Sequence, residues 1–427
     1  MSSEEARETP RSMALPYMGA SIAFMLFALT VGIFRLSAQN GVGPVLLADL
    51  YPLHPLLMVF GFIGGIIVTE RIAGVELLPH TKQTSLSLAI PPFIFGGMAV
   101  EAAGYLLGLT ALRYVGAALL VVSCLLFLAL LRSFLEIGRE GISVLFMILS
   151  AFALLLSAVL SAFSYPAGNV GFAMILLLFP IVFVLGERVE LSSLATRSSS
   201  NRFVPALLLA VAAAVLFGFG ALFPGAGSAA FIVAFGATGI AFGFFLLMEK
   251  SAHPKSVASP FQKYVGRHVE LAYAWGLAGS AFGIAYSLSP LFVFYDAFIH
   301  SLALGFIGLM FLAHGPIILP MVTGRKFDNA RLSFAPLAIL VLALVMRIGS
   351  GLALLYSRAW LLNLSVSVSG WLVFLAVIAF FAEIVRGTTH IRAAGSMIDD
   401  PRRTHSSGES GLRAITPIIR SKRVVGS

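Results

Sequence analysis

This sequence has few charged residues and a single cysteine. Only 11% of its residues are charged and 59% are hydrophobic, whereas about 25% of the residues of an average soluble domain are charged. Apolar runs recur along the whole chain, and each is close to the roughly 20 residues needed to cross a bilayer core. This composition excludes an ordinary soluble protein. It predicts an all-α, polytopic membrane helix bundle, because a helix satisfies its own backbone hydrogen bonds within the bilayer.

The single cysteine, Cys124, lies in the middle of an apolar run. One thiol cannot form an intramolecular disulfide, and a Cys-rich metal site is excluded. The formal net charge is +9, which in a soluble protein would suggest nucleic-acid binding. Because the positive charges lie between apolar runs, we expect the lipid bilayer, and no nucleic acid, to be the partner.

The apolar pattern predicts about twelve transmembrane helices. Their expected ranges are 14–36, 52–69, 86–109, 111–131, 143–163, 169–186, 204–222, 228–248, 266–289, 292–320, 333–356 and 361–385. They form a single transmembrane domain over 14–386. A polar segment over 1–13 precedes it, and a basic tail over 387–427, rich in Ser and Gly, follows it and is expected to be disordered.

The positions of lysine and arginine predict the orientation of the bundle. With the N-terminus inside, 24 of the 28 basic residues fall in inner segments, three lie at outer helix ends, and Arg347 lies within a helix. Cytoplasmic segments of membrane proteins carry this excess of Lys and Arg. We therefore expect a multi-pass protein of the plasma (inner) membrane with both termini in the cytoplasm.

Several helices that run inward end in a similar way. The matching ends are Glu70-Arg71, Glu187-Arg188, Glu249-Lys250 and Glu383 to Arg386. We expect these charged side chains to snorkel to the inner interface. Internal repetition is the alternative.

Five ionisable residues lie inside predicted membrane helices, namely His54, Glu101, His300, His314 and Arg347. A charged group at the centre of such a helix costs at least about 2.5 kcal/mol, so these residues mark function by default. His54, Glu101 and Arg347 are each 16 residues from the inner boundary, or about 24 Å at 1.5 Å per residue. His300 falls in the outer part as well.

His54 and His300 lie on helices that run in the same direction, so their imidazoles can face each other at one depth. Neutral imidazole is a strong ligand for haem iron, and two histidines can hold a b-type haem without a Cys attachment motif. We expect both to ligate haem b, with facing nitrogens about 4 Å apart if each ligates at about 2 Å. For each histidine, a hydrogen-bonded structural role is the alternative. Small residues near both histidines would let the macrocycle, or another helix, come close; they are Gly61, Gly64, Gly305 and Gly308.

The propionates of a haem need cations. Arg347 is the first candidate, because arginine–carboxylate pairs are strong when partly buried. Arg35 and Arg358 lie at outer helix ends. Alternatively, Arg347 pairs with Glu101.

His314 follows His300 by 14 residues, on nearly the same helical face and about 21 Å further along. This spacing resembles the two-haem helices of the cytochrome b of respiratory bc complexes. His268 would be the partner of His314 in a second haem site. Because that family uses two such helices and only one is found here, an inner polar contact is the expected role of both residues.

Two stretches resemble the NnrS family, which are haem-containing membrane proteins linked to the nitric oxide response. The stretch His54-x3-Met58-x2-Gly61-Phe62 resembles the family signature His-x-His-Glu-Met-x-x-Gly-Phe. The stretch His300-x4-Gly305-x2-Gly308-x-Met310, with Thr323-Gly324-Arg325 after it, resembles the second conserved helix and its Gly-Arg loop. The resemblance implies a haem site that includes Met58, Gly61 and Gly305. It also implies that the protein binds or responds to nitric oxide or passes electrons to a redox partner.

The resemblance is incomplete. Leu56 and Leu57 replace the second histidine and the glutamate of the family's first motif, so the roles of those residues are not carried over. The layout also resembles the low-spin haem site of haem–copper oxidase subunit I. Those oxidases place copper ligands on helices 6 and 7, which contain no histidine here, so neither copper nor a complete oxygen-reducing oxidase is expected. The sequence leaves open whether the protein is an enzyme.

Two other functions stay open. A secondary transporter would use Glu101, Arg347 and His314 at a midplane site, although helices 1 and 7 show no matched broken pattern. A structural subunit of a respiratory complex is the other alternative.

Overall fold

The computed structural model describes most of the chain. It covers residues 5–39, 41, 50–76, 84–136, 141–163, 169–196, 199–223, 227–252, 259–323, 332–357 and 359–398. Within these ranges every regular element is a helix.

Twelve long helices follow one another in the described part of the chain. They are α1 (Glu5–Gln39), α2 (Leu53–Leu56, Leu57–Gly64 and Gly65–Glu76), α3 (Thr84–Leu107), α4 (Thr110–Glu136), α5 (Gly141–Ala162), α6 (Val170–Thr196), α7 (Val204–Leu222), α8 (Ser228–Ala252), α9 (Pro260–Leu288), α10 (Phe292–His300, Ser301–Gly308 and Leu309–Thr323), α11 (Ala335–Ala353) and α12 (Trp360–Ile398). A short 3-10 helix, Ser200–Phe203, leads into α7.

Eleven of these helices are long and apolar enough to cross a membrane. The exception, α9, is 29 residues long and includes Lys263, Arg267 and Glu270 in its first half. It packs between α8 and α10. The all-α, polytopic fold class predicted from the sequence is therefore confirmed.

Helices α2 and α10 differ from the others because each contains a π-helical stretch of eight residues, Leu57–Gly64 and Ser301–Gly308. Such i→i+5 turns are rare and occur frequently at functional sites. The stretch in α2 begins three residues after His54, and the stretch in α10 begins directly after His300. α1 packs against the first stretch and α9 against the second.

Aromatic side chains hold α10 in the bundle. The rings of Phe242 and Phe306 are 4.6 Å apart between centroids, and those of Phe235 and Phe298 are 5.1 Å apart. Aromatic pairs of this kind contribute roughly 0.5–1.5 kcal/mol beyond the area they bury. These contacts fix the part of α10 that surrounds His300.

The two terminal helices extend beyond their predicted ends. α1 begins at Glu5 instead of 14, and α12 continues to Ile398. Residues 387–398, which the sequence prediction assigns to the tail, continue this helix, and Ala and Arg are good helix formers. The tail from 399 onwards lies outside the described residues.

Candidate functional site

A cavity of about 510 Å³ lies at the end of the bundle where α1 ends and where α2 and α10 begin. Pockets for cofactors and small molecules usually measure about 300–1,000 Å³ and are mostly apolar. Leucine, isoleucine and valine side chains make up much of this wall. Gln39, Tyr51 and Phe292 also line the cavity and are exposed, so the cavity reaches the surface at this end.

His54 lines the cavity from α2. Its Nδ1 lies 2.7 Å from the main-chain oxygen of Ala28. Because a carbonyl only accepts hydrogen bonds, Nδ1 carries the hydrogen, and Nε2 of the neutral ring keeps its lone pair. Gly32 allows the ring to lie against α1, since a Cβ there would be 2.8 Å from Cε1 of His54.

His300 lines the same cavity from α10. Its Nδ1 lies 2.9 Å from the main-chain oxygen of Asp296 and 3.2 Å from the carboxylate oxygen Oδ1 of that residue. A histidine that ligates a metal usually donates its other ring N–H to a carbonyl or carboxylate in this way. The two histidines are close enough to interact electrostatically with each other.

Arg347 forms a bidentate ion pair with Asp296. Its Nε lies 2.9 Å from Oδ2 and its Nη2 lies 2.7 Å from Oδ1. The alternative in which Arg347 pairs with Glu101 is therefore wrong. Asp296 is not among the residues predicted from the sequence, although a residue one helical turn before His300 lies on the same face. Asp296 balances the charge of Arg347, so the arginine is less available to a propionate. Because Asp296 also contacts His300, Arg347 supports that histidine through the aspartate.

Arg35 is the second cation on the cavity wall. Its guanidinium carbon lies 4.5 Å from the centroid of the Tyr51 ring. Its Nε is buried and has no hydrogen-bond partner among the residues that the structure describes. A buried donor in this state suits the carboxylate of a ligand. Arg358, the third predicted cation, lies outside the described residues, as do Gly324 and Arg325.

Met58 lines the cavity as expected, but none of the four glycines predicted there does. A Cβ on Gly61 would lie 2.8 Å from Phe24, and one on Gly305 would lie 2.5 Å from Trp275. Both are therefore positions where helices pack closely, and their assignment to the haem site is corrected. The glycines that do line the cavity are Gly32 and Gly370.

The two π-helical stretches share a short sequence motif that is not part of the sequence prediction. Each ends in the same four residues, Gly61-Phe62-Ile63-Gly64 and Gly305-Phe306-Ile307-Gly308. The side chains of Phe62 and Phe311 meet edge to face at 5.1 Å, which joins α2 to α10. The repeated tetrapeptide is a sequence signal that could have linked the two helices.

Glu101 is fully buried and so faces the interior of the bundle. It lies beside Ser161 and the charge of Arg113. Helix α4 comes very close here, since a Cβ on Gly116 would be 2.6 Å from the main-chain nitrogen of Glu101. Glu101 does not line the cavity, whereas Tyr105 and Ser161 do. It is a polar group behind the cavity wall.

His268 and His314 have different surroundings. The ring of His268 is fully buried. Its centroid lies 4.1 Å from that of the Tyr264 ring and 6.0 Å from that of the Phe334 ring. His314 instead faces charged residues of α6 and α8. Each ring donates from Nδ1 to the carbonyl four residues earlier in its own helix. This arrangement gives no support to a second haem between them.

The structure does not assemble the transport site that the sequence left open. Glu101 lies beside Arg113, Arg347 pairs with Asp296, and His314 faces the charges of α6 and α8. Within the described part of the chain, Glu101, Arg347 and His314 have no neighbouring residue in common.

The fold and the cavity define an α-helical, multi-pass integral membrane protein with two histidines on the wall of one cavity. A family model described as a domain of unknown function, DUF8744, matches residues 14–385, and the chain belongs to that family. The match includes α2 and α10 with both cavity histidines. No curated protein matches the chain.

Proposed function

We propose that this protein is a b-type haem-binding integral membrane protein of the NnrS-like kind, in which His54 and His300 would hold the haem iron. One observation carries the proposal: both histidines line one cavity, and each donates from Nδ1 to a main-chain carbonyl. In both rings Nε2 is therefore the nitrogen left for iron.

The residues of the cavity fit a haem. In the described part of the chain, no group of three or more His, Cys, Asp or Glu side chains is placed to hold a metal ion. A haem needs only two protein ligands, because its macrocycle supplies the other four nitrogens. The volume and apolar walls suit the macrocycle, and the buried Nε of Arg35 suits a propionate.

A bound haem would supply a one-electron redox couple and an iron atom that can bind a gas. The chain holds the two histidines unequally. His300 is fixed by a carbonyl, a carboxylate and, through Asp296, by Arg347, whereas His54 has one carbonyl partner. Among the described contacts His54 is therefore the less firmly held of the two histidines. A haem held by both residues would supply an iron suited to binding nitric oxide or to electron transfer with a redox partner.

The proposal includes the location of the protein. The distribution of 24 of the 28 basic residues supports a plasma (inner) membrane protein with both termini in the cytoplasm. In this orientation the cavity opens on the outer side.

Substitution of the two histidines tests the proposal. His54→Ala and His300→Ala should each abolish or shift the haem absorption band of the purified protein, because each removes an axial ligand. His268→Ala is the matched control, since His268 is a buried histidine that does not line the cavity, and its spectrum should equal that of the wild type. If a folded His54→Ala or His300→Ala protein keeps the wild-type band, the ligand assignment is wrong.

A further inference from the structure

Glu101 on α3 carries a buried carboxyl group that the proposed haem site does not use. The residue is fully buried, and both of its carboxyl oxygens lack a hydrogen-bond partner among the residues that the structure describes. Buried polar groups are nearly always hydrogen-bonded, so an exception needs an explanation. A charged carboxylate in this state would be costly, because a buried charge needs a partner.

Two other carboxylates of the membrane helices do have direct ionic partners. Glu187 of α6 accepts a hydrogen bond from Nη2 of Arg71 at 2.5 Å, and Asp296 of α10 accepts two from Arg347. The side chains of Arg71 and Glu187 are only 10% and 11% exposed, so the expectation that these two residues snorkel to the interface is wrong. Glu101 differs from both carboxylates, because in the described structure no guanidinium donates to its oxygens.

Arg113 of α4 is the cation that faces this part of α3. The two helices are in close contact, since a Cβ on Gly116 would lie 2.7 Å from Cβ of Glu101. A Cβ on Gly104 would likewise lie 2.7 Å from Cγ of Arg113. The guanidinium, however, is placed on Tyr105: its Nη2 donates to the phenol oxygen at 2.9 Å, and its carbon lies 4.0 Å from the ring centroid. Arg113 thus brings a positive charge close to Glu101 without a hydrogen bond to it.

Ser161 of α5 lies beside the carboxyl group of Glu101. Its Oγ donates its hydrogen to the main-chain oxygen of Ala158 at 2.9 Å, so toward any other neighbour the hydroxyl can only accept. A carboxylate also only accepts, and two acceptors do not form a hydrogen bond. A protonated carboxylic acid has an O–H to donate, and it is therefore the form of Glu101 that Ser161 favours.

The neighbours of Glu101 connect it with the cavity. Tyr105 and Ser161 both line the cavity, and Tyr105 follows Glu101 by one helical turn, so their side chains share a face of α3. The phenol oxygen of Tyr105 accepts from Arg113 and still has its own hydrogen to donate. The groups between the carboxyl group and the cavity are thus hydroxyls, which can both give and receive a proton.

The titratable and charged groups around this position come from three helices and the segment before α2. α4 contributes Arg113 and α3 contributes Tyr105, while Tyr51, just before α2, interacts with Tyr105. From α5 the neighbour is Ser161, which does not titrate. Glu101 is the one carboxyl group of this described set, so a proton bound here is bound by Glu101.

We propose that Glu101 is a proton-binding site of the cavity, which holds a proton at neutral pH and exchanges it with water in the cavity past Tyr105 and Ser161. Release breaks the O–H bond of the acid, passes the proton to a water molecule, and leaves a carboxylate whose charge Arg113 balances in part. The proposal does not depend on the haem proposal, because it needs only water in the cavity.

Infrared spectra of the full-length protein in lipid at neutral pH test whether Glu101 is protonated. The wild type should show the carbonyl band of a buried carboxylic acid, and Glu101→Gln should lose it. Glu136→Gln is the matched control, because Glu136 is 64% exposed and lies 3.5 Å from the exposed Arg132; it should keep the band.

Transfer of the same samples to D₂O tests the route. The band of the wild type should shift as the proton exchanges for deuterium, and Tyr105→Phe and Ser161→Ala should each keep the band and slow its shift. Tyr114→Phe is the matched control for Tyr105→Phe, since Tyr114 is 52% exposed and does not line the cavity; its band should shift as fast as that of the wild type.

Three results would overturn the proposal. One is a Glu101→Gln protein that keeps the wild-type band, and another is a folded wild type without such a band. The third is exchange in Tyr105→Phe and Ser161→Ala as fast as in the wild type. If Glu101→Gln does not fold, Glu101→Asp keeps the acid and must shift the band in frequency; an unshifted band contradicts the assignment. Protein without haem that shows the band contradicts the haem proposal alone.

Discussion

At the scale of single residues, the cavity depends on the ion pair of Arg347 and Asp296. A guanidinium in the middle of a membrane helix is costly by itself, and the bidentate carboxylate compensates it. The same carboxylate lies 3.2 Å from Nδ1 of His300. One aspartate therefore both neutralises the arginine and orients the histidine.

Replacing Asp296 alone should lower the stability of the protein more than replacing Asp296 and Arg347 together. Asp296→Ala leaves a guanidinium that is 13% exposed without its partner, and a broken buried pair costs about 3–5 kcal/mol. The melting temperature of Asp296→Ala in detergent should fall clearly. The double variant Asp296→Ala with Arg347→Ala should recover part of the loss. Strictly additive losses would show that the pair is not coupled.

At the scale of the helices, much could be predicted from the sequence because the bilayer dictates it. Apolar runs of about 20 residues can only be helices there, so the number and order of the helices were predictable. The π-helical stretches, which pack against α1 and α9, were not predicted. This local change explains the error over Gly61 and Gly305: after a π-helical turn, residues point elsewhere than α-helical spacing implies.

Gly32 on α1 leaves room for the imidazole ring of His54 to lie against that helix. Gly32→Ala would place a Cβ 2.8 Å from the imidazole, so the ring must move, and the haem band should weaken or shift. Gly19→Ala is the matched control on the same helix, because nothing lies within 4 Å of a Cβ at that position. Absorption spectra of the two variants at equal protein concentration make the comparison. Equal spectra would mean that the position of His54 against α1 does not matter for the haem.

At the scale of the whole molecule, α2 and α10 connect the two ends of the bundle. α2 carries His54 at the cavity and, at the other end, Arg71, which pairs with Glu187 of α6; α10 carries His300 at the cavity and His314 further along. The sequence predicted that His54 and His300 share one site. It did not predict the partner of Arg347, because the pairing of Asp296 with Arg347 joins α10 to α11 and forms only through tertiary packing.

The orientation of the molecule can be tested with reporter fusions. A cytoplasmic reporter fused to the C-terminus should be active, because the basic segments are expected on the cytoplasmic side. A fusion placed after Leu222, at the end of α7, is the control and should report the opposite side. If the C-terminal reporter is active only outside, the orientation is reversed and the cavity opens to the cytoplasm.

The haem content of the purified wild-type protein, expressed with ample haem, shows whether the cavity between His54 and His300 holds a haem. Absorption spectroscopy of the oxidised and reduced protein, with extraction of the haem for quantification, is the measurement. We expect one haem b per chain, with the spectrum of a haem that has two histidine ligands. Purified, folded protein without haem absorption would contradict this expectation.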